Sequence, residues 1–241
     1  IQHLLDMSAG VDFDEDYGAT EGPMITYRQS TGWNPPSDDA DAPSDLRTFL
    51  LRLRKARQHG GHFQYTSPNT DLLAWVIERA ARMPFGDAMS AYIWQPMGAE
   101  FDAYLTVDSL GAARPAGGIC TTLRDLARVG QMMLSNGVAN GNQVVPAWFI
   151  QDTLNSGDTN AWAAGTFKFL LPGGAYRNKW YLCNDGLGAF LGFGIHGQFL
   201  YIAPGARTVI ARFGSHPTPI DDADCVRLID AFAAVADALR G

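Results

Sequence analysis

Apolar residues recur every three or four positions in several segments of this chain, which is the pattern of a helix with one buried face. The segment after Tyr65 shows the pattern best and predicts a helix that runs to about Arg82. Pro84 interrupts the pattern, and a second helix is predicted from Phe85 to about Trp94. Further helices are predicted at residues 1–5 and 46–53, after Thr121 or Thr122 as N-cap, after Pro146, and after Asp221 or Asp222.

From about Gly165 the period changes to the alternation that is typical of strands. Short turns rich in proline and glycine separate the apolar runs, so an antiparallel meander is predicted, followed by the last helix. Residues 18–43 are rich in Gly, Pro, Ser, Thr and Asp and predict a long loop. Strands are predicted at residues 104–108, 167–170, 180–182, 193–202 and 207–213.

These patterns divide the chain into a mostly helical region, residues 1–162, and a region of antiparallel strands with a C-terminal helix, residues 163–241. Helices and strands that occupy separate stretches are typical of an α+β fold. A chain of 241 residues is long enough to bury a full core.

Composition narrows the classes of function. The chain is 46% hydrophobic and 18% charged, with a formal net charge of −7 and only three lysines. No basic run can follow a phosphate backbone, so nucleic acid is not an expected partner, and no apolar run reaches the length of a membrane span. The three cysteines are widely spaced, so neither a disulfide framework nor a metal site of the CxxC type is predicted.

Tyr65 is the first candidate for chemistry. It is predicted to end a short strand just before a helix, with Ser67 as N-cap and Pro68 in the first helical position. The field at a helix N-terminus favours negative charge, and a phenolate is the state that a tyrosine needs in order to act as a base. The alternative is a half-buried tyrosine that packs its ring and hydrogen-bonds its hydroxyl.

A second candidate is the run of residues 193–202, in which glycines flank His196. Glycine inside a strand often marks a place where a ligand or another backbone comes close. An exposed backbone N–H there could stabilise an oxyanion. The alternative is a glycine bulge beside a histidine whose hydrogen bonds are satisfied. Trp33, a large aromatic isolated in the predicted loop, either lines a pocket or pins the loop to the core.

Four runs of sequence carry a resemblance to a known family. They are LLDMSAG at residues 4–10, FQYTSPNTD at 63–71, GGICTTLRDLAR at 117–128 and IHGQ at 195–198. In this order along the chain, they resemble the serine β-lactamase and penicillin-binding superfamily. Within it the resemblance is to the branch of class C β-lactamases, DD-peptidases and related esterases, and most closely to 6-aminohexanoate-dimer hydrolases. The resemblance implies a β-lactamase/transpeptidase-like fold and no cofactor or metal.

In this family a serine in a Ser-x-x-Lys motif attacks the acyl carbon, a tyrosine transfers protons, and a strand motif binds substrate. By resemblance Tyr65 matches the tyrosine, although Ser67 stands where an asparagine is usual. Ile195, His196 and Gly197 match the third motif, and a main-chain amide among them is expected to complete the oxyanion hole.

The first motif is absent. The residues three positions before the three lysines are arginine, glycine and tyrosine, so no Ser-x-x-Lys can be written in this sequence. The family places that motif upstream of a segment like residues 1–10. We therefore expect the nucleophile to lie in an N-terminal segment of the same protein that precedes Ile1.

The resemblance also suggests substrate contacts. Arg28, Trp33, Trp180 and Tyr181 are expected to border the pocket, with Ser67 beside the tyrosine. An acidic group near the position of Arg28 would suit a substrate with a free amino end. The arginine at this position therefore favours an ester or another amide as substrate.

The expected function is a serine hydrolase that works through an acyl-enzyme on a small ester or amide. A non-catalytic binding protein of the same fold, or a β-lactamase or DD-peptidase proper, are the alternatives. The sequence leaves open a homodimer, and it leaves the compartment open between periplasm and cytoplasm, with the cytoplasm slightly favoured.

Overall fold

The structure is a computed structural model that describes residues 1–240. Contacts between residues divide the chain into two compact units. The first unit comprises Ile1–Ala88 and Ala103–Cys120, and the second comprises Met89–Asp102 and the chain from Thr121 onward. The division at residue 162 that composition suggests stays a prediction.

The first unit is mainly helical. Its core contains Phe13, Tyr27 and Phe49, whose rings meet at centroid distances of 5.4 to 6.0 Å. The Asp45 side chain caps one helix by accepting a hydrogen bond from the Thr48 amide at 3.0 Å. The elements are α1 (Gln2–Leu5), α2 (Pro23–Ser30), α3 (Leu46–Arg52), α4 (Ser67–Ala81), α5 (Phe85–Met89, which ends at the boundary), and the paired strands β1 (Tyr104–Leu105) and β2 (Ile119–Cys120).

The second unit contains a five-stranded antiparallel sheet in which the strands follow one another in chain order. Helix α7, Leu123–Leu134, packs against the last two strands of this sheet. Gly130 allows this close approach, because a Cβ atom at this position would lie 2.5 Å from Val209 Cγ1. The elements are α6 (Gln95–Met97), β3 (Val138–Ala139), β4 (Asn142–Gln143), α7 (Leu123–Leu134), α8 (Ala147–Asn155), α9 (Thr159–Ala163), β5 (Ala175–Arg177), β6 (Trp180–Leu182), β7 (Phe190–Gly194), β8 (Gln198–Ala203), β9 (Thr208–Arg212) and α10 (Asp222–Ala238).

Most of the predicted helices are confirmed, with small changes at their ends. Helix α4 runs to Ala81, but its N-cap is Thr66, and the Ser67 hydroxyl bonds to Glu15 instead of capping the helix. Thr122 caps α7 and Asp221 caps α10, as two of the predicted alternatives have it. The helix predicted to end before Pro96 continues through a π-helical turn, Ser90–Trp94, into α6.

Several predictions of secondary structure are wrong. The predicted loop at 18–43 contains α2, which Gly22 and Pro23 begin and which Met24 and Tyr27 anchor in the core. Too few apolar positions fall in this helix for a period to be visible. Residues 167–170 form turns rather than a strand, and the strand predicted at 104–108 is limited to β1.

A further error concerns residues 193–202, which form a hairpin instead of one strand. Strand β7 ends at Gly194, a single 3₁₀ turn spans Ile195–Gly197, and β8 returns antiparallel to β7. His196 and Gly197 reverse the chain with φ angles of +59° and +82°, in the left-handed region where glycine is favoured and histidine is tolerated. Both strands of this hairpin are interior strands of the sheet, since β9 pairs with the other side of β8.

Candidate active site

Tyr65 lies two residues before Ser67, the first residue of α4, in a segment that contacts within the first unit fix in place. The neighbouring Gln64 amide donates to the Met7 carbonyl at 2.9 Å, and Phe63 is buried. The Tyr65 side chain is half-buried and is hydrogen-bonded to the Ser67 side chain. The helix start predicted after Tyr65 is present, but the short strand predicted before it is not, because residues 61–65 form no ladder.

Glu15 joins the beginning of α4 to the acidic segment near the N-terminus. Its carboxylate accepts hydrogen bonds from the Ser67 amide and the Ser67 hydroxyl, each at 2.5 Å, and from the Tyr17 hydroxyl at 2.6 Å. Three donors on one carboxylate fix its position. Ser67, predicted to lie beside the catalytic tyrosine, thus connects Tyr65 with a negative charge.

A second carboxylate lies one turn further along α4. Asp71 is 1% exposed and accepts hydrogen bonds from the Tyr27 hydroxyl at 2.5 Å and from the Ala116 amide at 3.1 Å. Burial raises the pKa of Asp71 to about 6, and Glu15 adds to this, whereas its two hydrogen bonds and Arg114 act in the opposite direction.

These neighbours determine the protonation of the tyrosine. Burial raises the pKa of Tyr65 well above its ordinary value, and the charges of Glu15 and Asp71 raise it further. The Ser67 hydroxyl and the positive charge of Arg114 lower it. The start of a helix therefore does not by itself make Tyr65 a phenolate, and within these surroundings the phenol is neutral at neutral pH.

Arg114, like Glu15 and Asp71, is a residue of this cluster that the sequence did not reveal. It is 4% exposed, and its guanidinium carbon lies 4.1 Å from the ring centroid of Trp33 and 5.5 Å from that of Tyr27. Its Nε and Nη1 atoms are buried and have no hydrogen-bond partner among residues 1–240. The only available signal was an arginine inside a run of small residues, GAARPAGG, and that signal does not name its partners.

The predicted substrate residues of the first unit are both engaged within it. Arg28 Nη2 donates to the Tyr17 carbonyl at 3.1 Å, so this arginine holds the acidic segment in place. Trp33 is 50% exposed and lies over Arg114 with one face of its ring. Trp33 is thus pinned to a buried cation, and its role at a pocket border stays a prediction, as does that of Arg28.

The third predicted motif lies in the second unit, in the turn between β7 and β8. The His196 amide donates to the Pro219 carbonyl at 2.7 Å, and its Nδ1 bonds to the His216 carbonyl at 2.8 Å, so Nδ1 carries the proton. Arg212 donates to the Gly197 carbonyl and to His216 Nε2. The histidine is hydrogen-bonded within the turn, as in the structural alternative, although the feature is a turn and not a bulge.

Trp180 and Tyr181 also lie in the second unit, on β6. The Tyr181 ring is 2% exposed and packs edge-on against Trp162 and Tyr176, at centroid distances of 5.8 and 4.7 Å. Trp180 packs against Phe190 at 5.2 Å. Both residues contribute to the packing around the sheet, and their role in a pocket stays a prediction.

Two negative findings bear on other kinds of site. In the described part of the chain, no three His, Cys, Asp or Glu side chains are grouped so that they could hold a metal ion. None of the helices formed by residues 1–240 is both long and apolar enough to cross a membrane.

Comparisons with known proteins give a consistent result. A family model described as Beta-lactamase matches residues 1–234. The 6-aminohexanoate-dimer hydrolase of Paenarthrobacter ureafaciens is 38% identical over 219 residues, which are 91% of this chain and 55% of that protein. The chain thus spans about half the length of this curated relative.

Solved structures agree with that match. A candidate 6-aminohexanoate-dimer hydrolase from Bacillus anthracis superimposes with a TM-score of 0.86 at 29% identity, over 99% of this chain and 61% of that one. EstCE1, a hydrolase with promiscuous acyltransferase activity, superimposes with a TM-score of 0.69 at 15% identity, over 99% of this chain and 71% of that one. The second likeness concerns the fold alone.

Proposed function

Because the chain belongs to the beta-lactamase family, we propose that it is the part of a serine hydrolase that carries the proton-transferring tyrosine. The expected β-lactamase/transpeptidase-like α+β fold is confirmed by the family match and by the relatives of known structure. The proposed enzyme works through an acyl-enzyme on a carboxylic ester or a non-peptide amide. The observation that carries the proposal is Tyr65, held at the start of a helix in a cluster of charged and hydroxyl groups.

The proposed roles follow the needs of acyl transfer. A serine hydroxyl is a weak nucleophile until a neighbouring base takes its proton. We assign this task to Tyr65, which then returns the proton to the leaving alkoxide or amine. The serine is proposed to come from a segment preceding Ile1, since no Ser-x-x-Lys occurs in these 241 residues.

The oxyanion that forms on the acyl carbon needs N–H donors. In the turn between β7 and β8 the His196 amide already donates to Pro219. We therefore assign the donor role in this turn to the main-chain amide of Ile195 or Gly197, together with the amide of the nucleophile.

The choice of substrate rests on charge. The Paenarthrobacter relative is named for a 6-aminohexanoate dimer, a substrate with a free amino end, for which a carboxylate near Arg28 would be suited. A positive residue there favours an ester or an amide without that amino group. Equal turnover of the 6-aminohexanoate dimer and of simple short-chain esters would remove the basis for this preference.

A covalent adduct tests the function directly. The protein, expressed with the sequence encoded upstream of Ile1, is treated with a fluorophosphonate, and its intact mass is measured over time. We expect one adduct, which forms more slowly in Tyr65→Phe and at the wild-type rate in Tyr104→Phe. Tyr104 is a matched control because it is 76% exposed on β1.

Absence of any adduct would contradict the proposal and would favour the main alternative, a non-catalytic binding protein. The missing Ser-x-x-Lys motif is the observation in favour of that alternative. Efficient hydrolysis of nitrocefin would instead indicate a β-lactamase proper, which we disfavour because His196 and its neighbours replace the usual Lys-Thr-Gly.

A further inference from the structure

Arg114 is fixed in the loop that connects β1 with β2. Its amide donates to the Thr106 carbonyl at 3.0 Å, and the Thr106 amide donates to the Gly118 carbonyl at 2.8 Å. An isolated bridge between Val107 and Ala113 adds to this ladder. The backbone therefore directs the Arg114 side chain in one direction and holds it there.

The guanidinium is buried, and it forms no ion pair with any of residues 1–240. Trp33 and Tyr27 provide aromatic faces for it, and such contacts stabilise a cation only in part. Its Nε and Nη1 atoms have no hydrogen-bond partner within the described residues. The charge of Arg114 interacts with the nearby carboxylate of Asp71, whose pKa it lowers. In a buried site the field of such a charge reaches farther than the field of a charge in water.

The contacts of Asp71 place this charge beside the beginning of α4. Asp71 is joined to the Tyr27 hydroxyl, whose ring lies against Arg114. Asp71 is also joined to the amide of Ala116, two residues after Arg114. Ser67 is the first residue of the same helix, and Tyr65 lies two residues before it. The charge of Arg114 lowers the pKa of Tyr65, of Tyr27 and of Asp71.

Four titratable groups face this region from three elements. Glu15 and Tyr17 come from the segment before α2, Tyr27 comes from α2, and Asp71 comes from α4. The two carboxylates oppose negative charge at Tyr65, and the tyrosines are neutral because burial raises the pKa of each. Arg114 supplies the positive charge of the cluster.

We propose that Arg114 is a positioning residue for proton transfer at Tyr65: clamped between Trp33 and Tyr27, its guanidinium stabilises the phenolate form of Tyr65. This role rests on the proposed function. In the forward step the O–H bond of the nucleophilic serine breaks and the phenol O–H of Tyr65 forms. In the second step the phenol gives that proton to the leaving group, which restores the phenolate.

The test compares charge with shape. The protein that includes the upstream sequence is assayed on a short-chain ester across pH as wild type, R114K and R114M, and R47M is the matched control. Arg47 also lies over a tryptophan of the first unit, Trp75, at 5.5 Å, but it is half-exposed and paired with Glu78. Removing the guanidinium of Arg47 therefore takes away a similar stacking contact without changing the charge near Tyr65.

We expect R114M to lower kcat/KM by about tenfold or more at neutral pH and to move the acidic limb of the kcat/KM profile upward by at least about one pH unit. R114K keeps the charge, so its limb should stay near that of wild type, and R47M should match wild type. An unmoved limb in R114M, or an equal displacement in R114K and R114M, would overturn the proposal and leave Arg114 as a packing residue.

Two further measurements keep the test decisive. Asp71→Asn in the R114M background removes a negative charge that opposes the phenolate of Tyr65, so it should return the acidic limb part of the way toward wild type. If R114M alone folds poorly, the same change also removes the buried carboxylate that R114M leaves without its cation. A displaced limb that this second change leaves in place would contradict the electrostatic role. If wild type forms no acyl-enzyme, the proposed function fails. If wild type is active and the acidic limb of R114M does not differ from that of wild type, only the inference about Arg114 fails.

Discussion

Asp71 offers a prediction about stability that does not depend on the proposed reaction. Its carboxylate is almost completely buried, and it accepts hydrogen bonds from the Tyr27 hydroxyl and the Ala116 amide. In Asp71→Asn the amide oxygen can still accept from Ala116. The new NH₂ group can donate to the Tyr27 oxygen, because a hydroxyl can rotate to become the acceptor. The substitution therefore removes the charge and keeps the two contacts.

The expected magnitude follows from the two pKa values of Asp71. Burial raises the pKa from 3.8 to about 6 in the folded chain. Between these values the native state binds more protons than the unfolded state, so the free energy of unfolding decreases as pH rises through this window. The contribution is fully present below pH 3.8 and is lost above about pH 6. A difference of about two between the pKa values corresponds to about 3 kcal/mol.

Urea unfolding of wild type and Asp71→Asn at several pH values between 4 and 7 measures this contribution. The free energy of unfolding of the variant minus that of wild type should increase by about 2 kcal/mol across the series, because all other titrations cancel. Parallel curves for wild type and Asp71→Asn would refute the reasoning.

Three other changes have clear expected results in urea unfolding. Ser67→Ala removes one of the three donors to Glu15 and should cost about 1–3 kcal/mol, whereas an unchanged midpoint would contradict the buried network. Gly130→Ala places a methyl group against β8 and β9 and should lower the free energy of unfolding by about 1–3 kcal/mol. Gly192→Ala is the control and should lower it less, because the nearest atom to the new methyl group would be 4.0 Å away. At Asp125, burial opposes ionisation, but hydrogen bonds from two amides, a threonine and an arginine lower the pKa of the carboxyl. The contribution of this carboxylate to the free energy of unfolding should therefore fade as pH falls, and it should be absent in Asp125→Ala.

Periodicity located the elements whose buried face is long enough to repeat. Helices α4, α7 and α10 and the terminal meander were predicted because several apolar residues mark each of them. Helix α2 was missed because Met24 and Tyr27 are its only large buried side chains. The hairpin at Ile195–Gly197 was read as one strand because apolar alternation continues across it, and no pattern shows that His196 adopts a left-handed conformation.

The candidate site was predictable only in part, for a related reason. Tyr65 could be named because a local motif surrounds it. Glu15, Asp71 and Arg114 could not be named, because their partners lie far away in sequence: Ser67 bonds to a residue 52 positions earlier, and Asp71 to one 44 positions earlier. A charge buried by residues from three segments leaves no local pattern.

The Tyr65→Phe variant provides the most direct test of the central claim. The measurement is kcat/KM for a short-chain ester, with the protein that includes the sequence upstream of Ile1 and with Tyr104→Phe as control. A base that takes the proton of the nucleophile contributes about 10²- to 10⁴-fold, so Tyr65→Phe should lose activity by that factor while it remains folded and Tyr104→Phe stays fully active. A folded Tyr65→Phe variant that keeps wild-type kcat/KM would contradict the account.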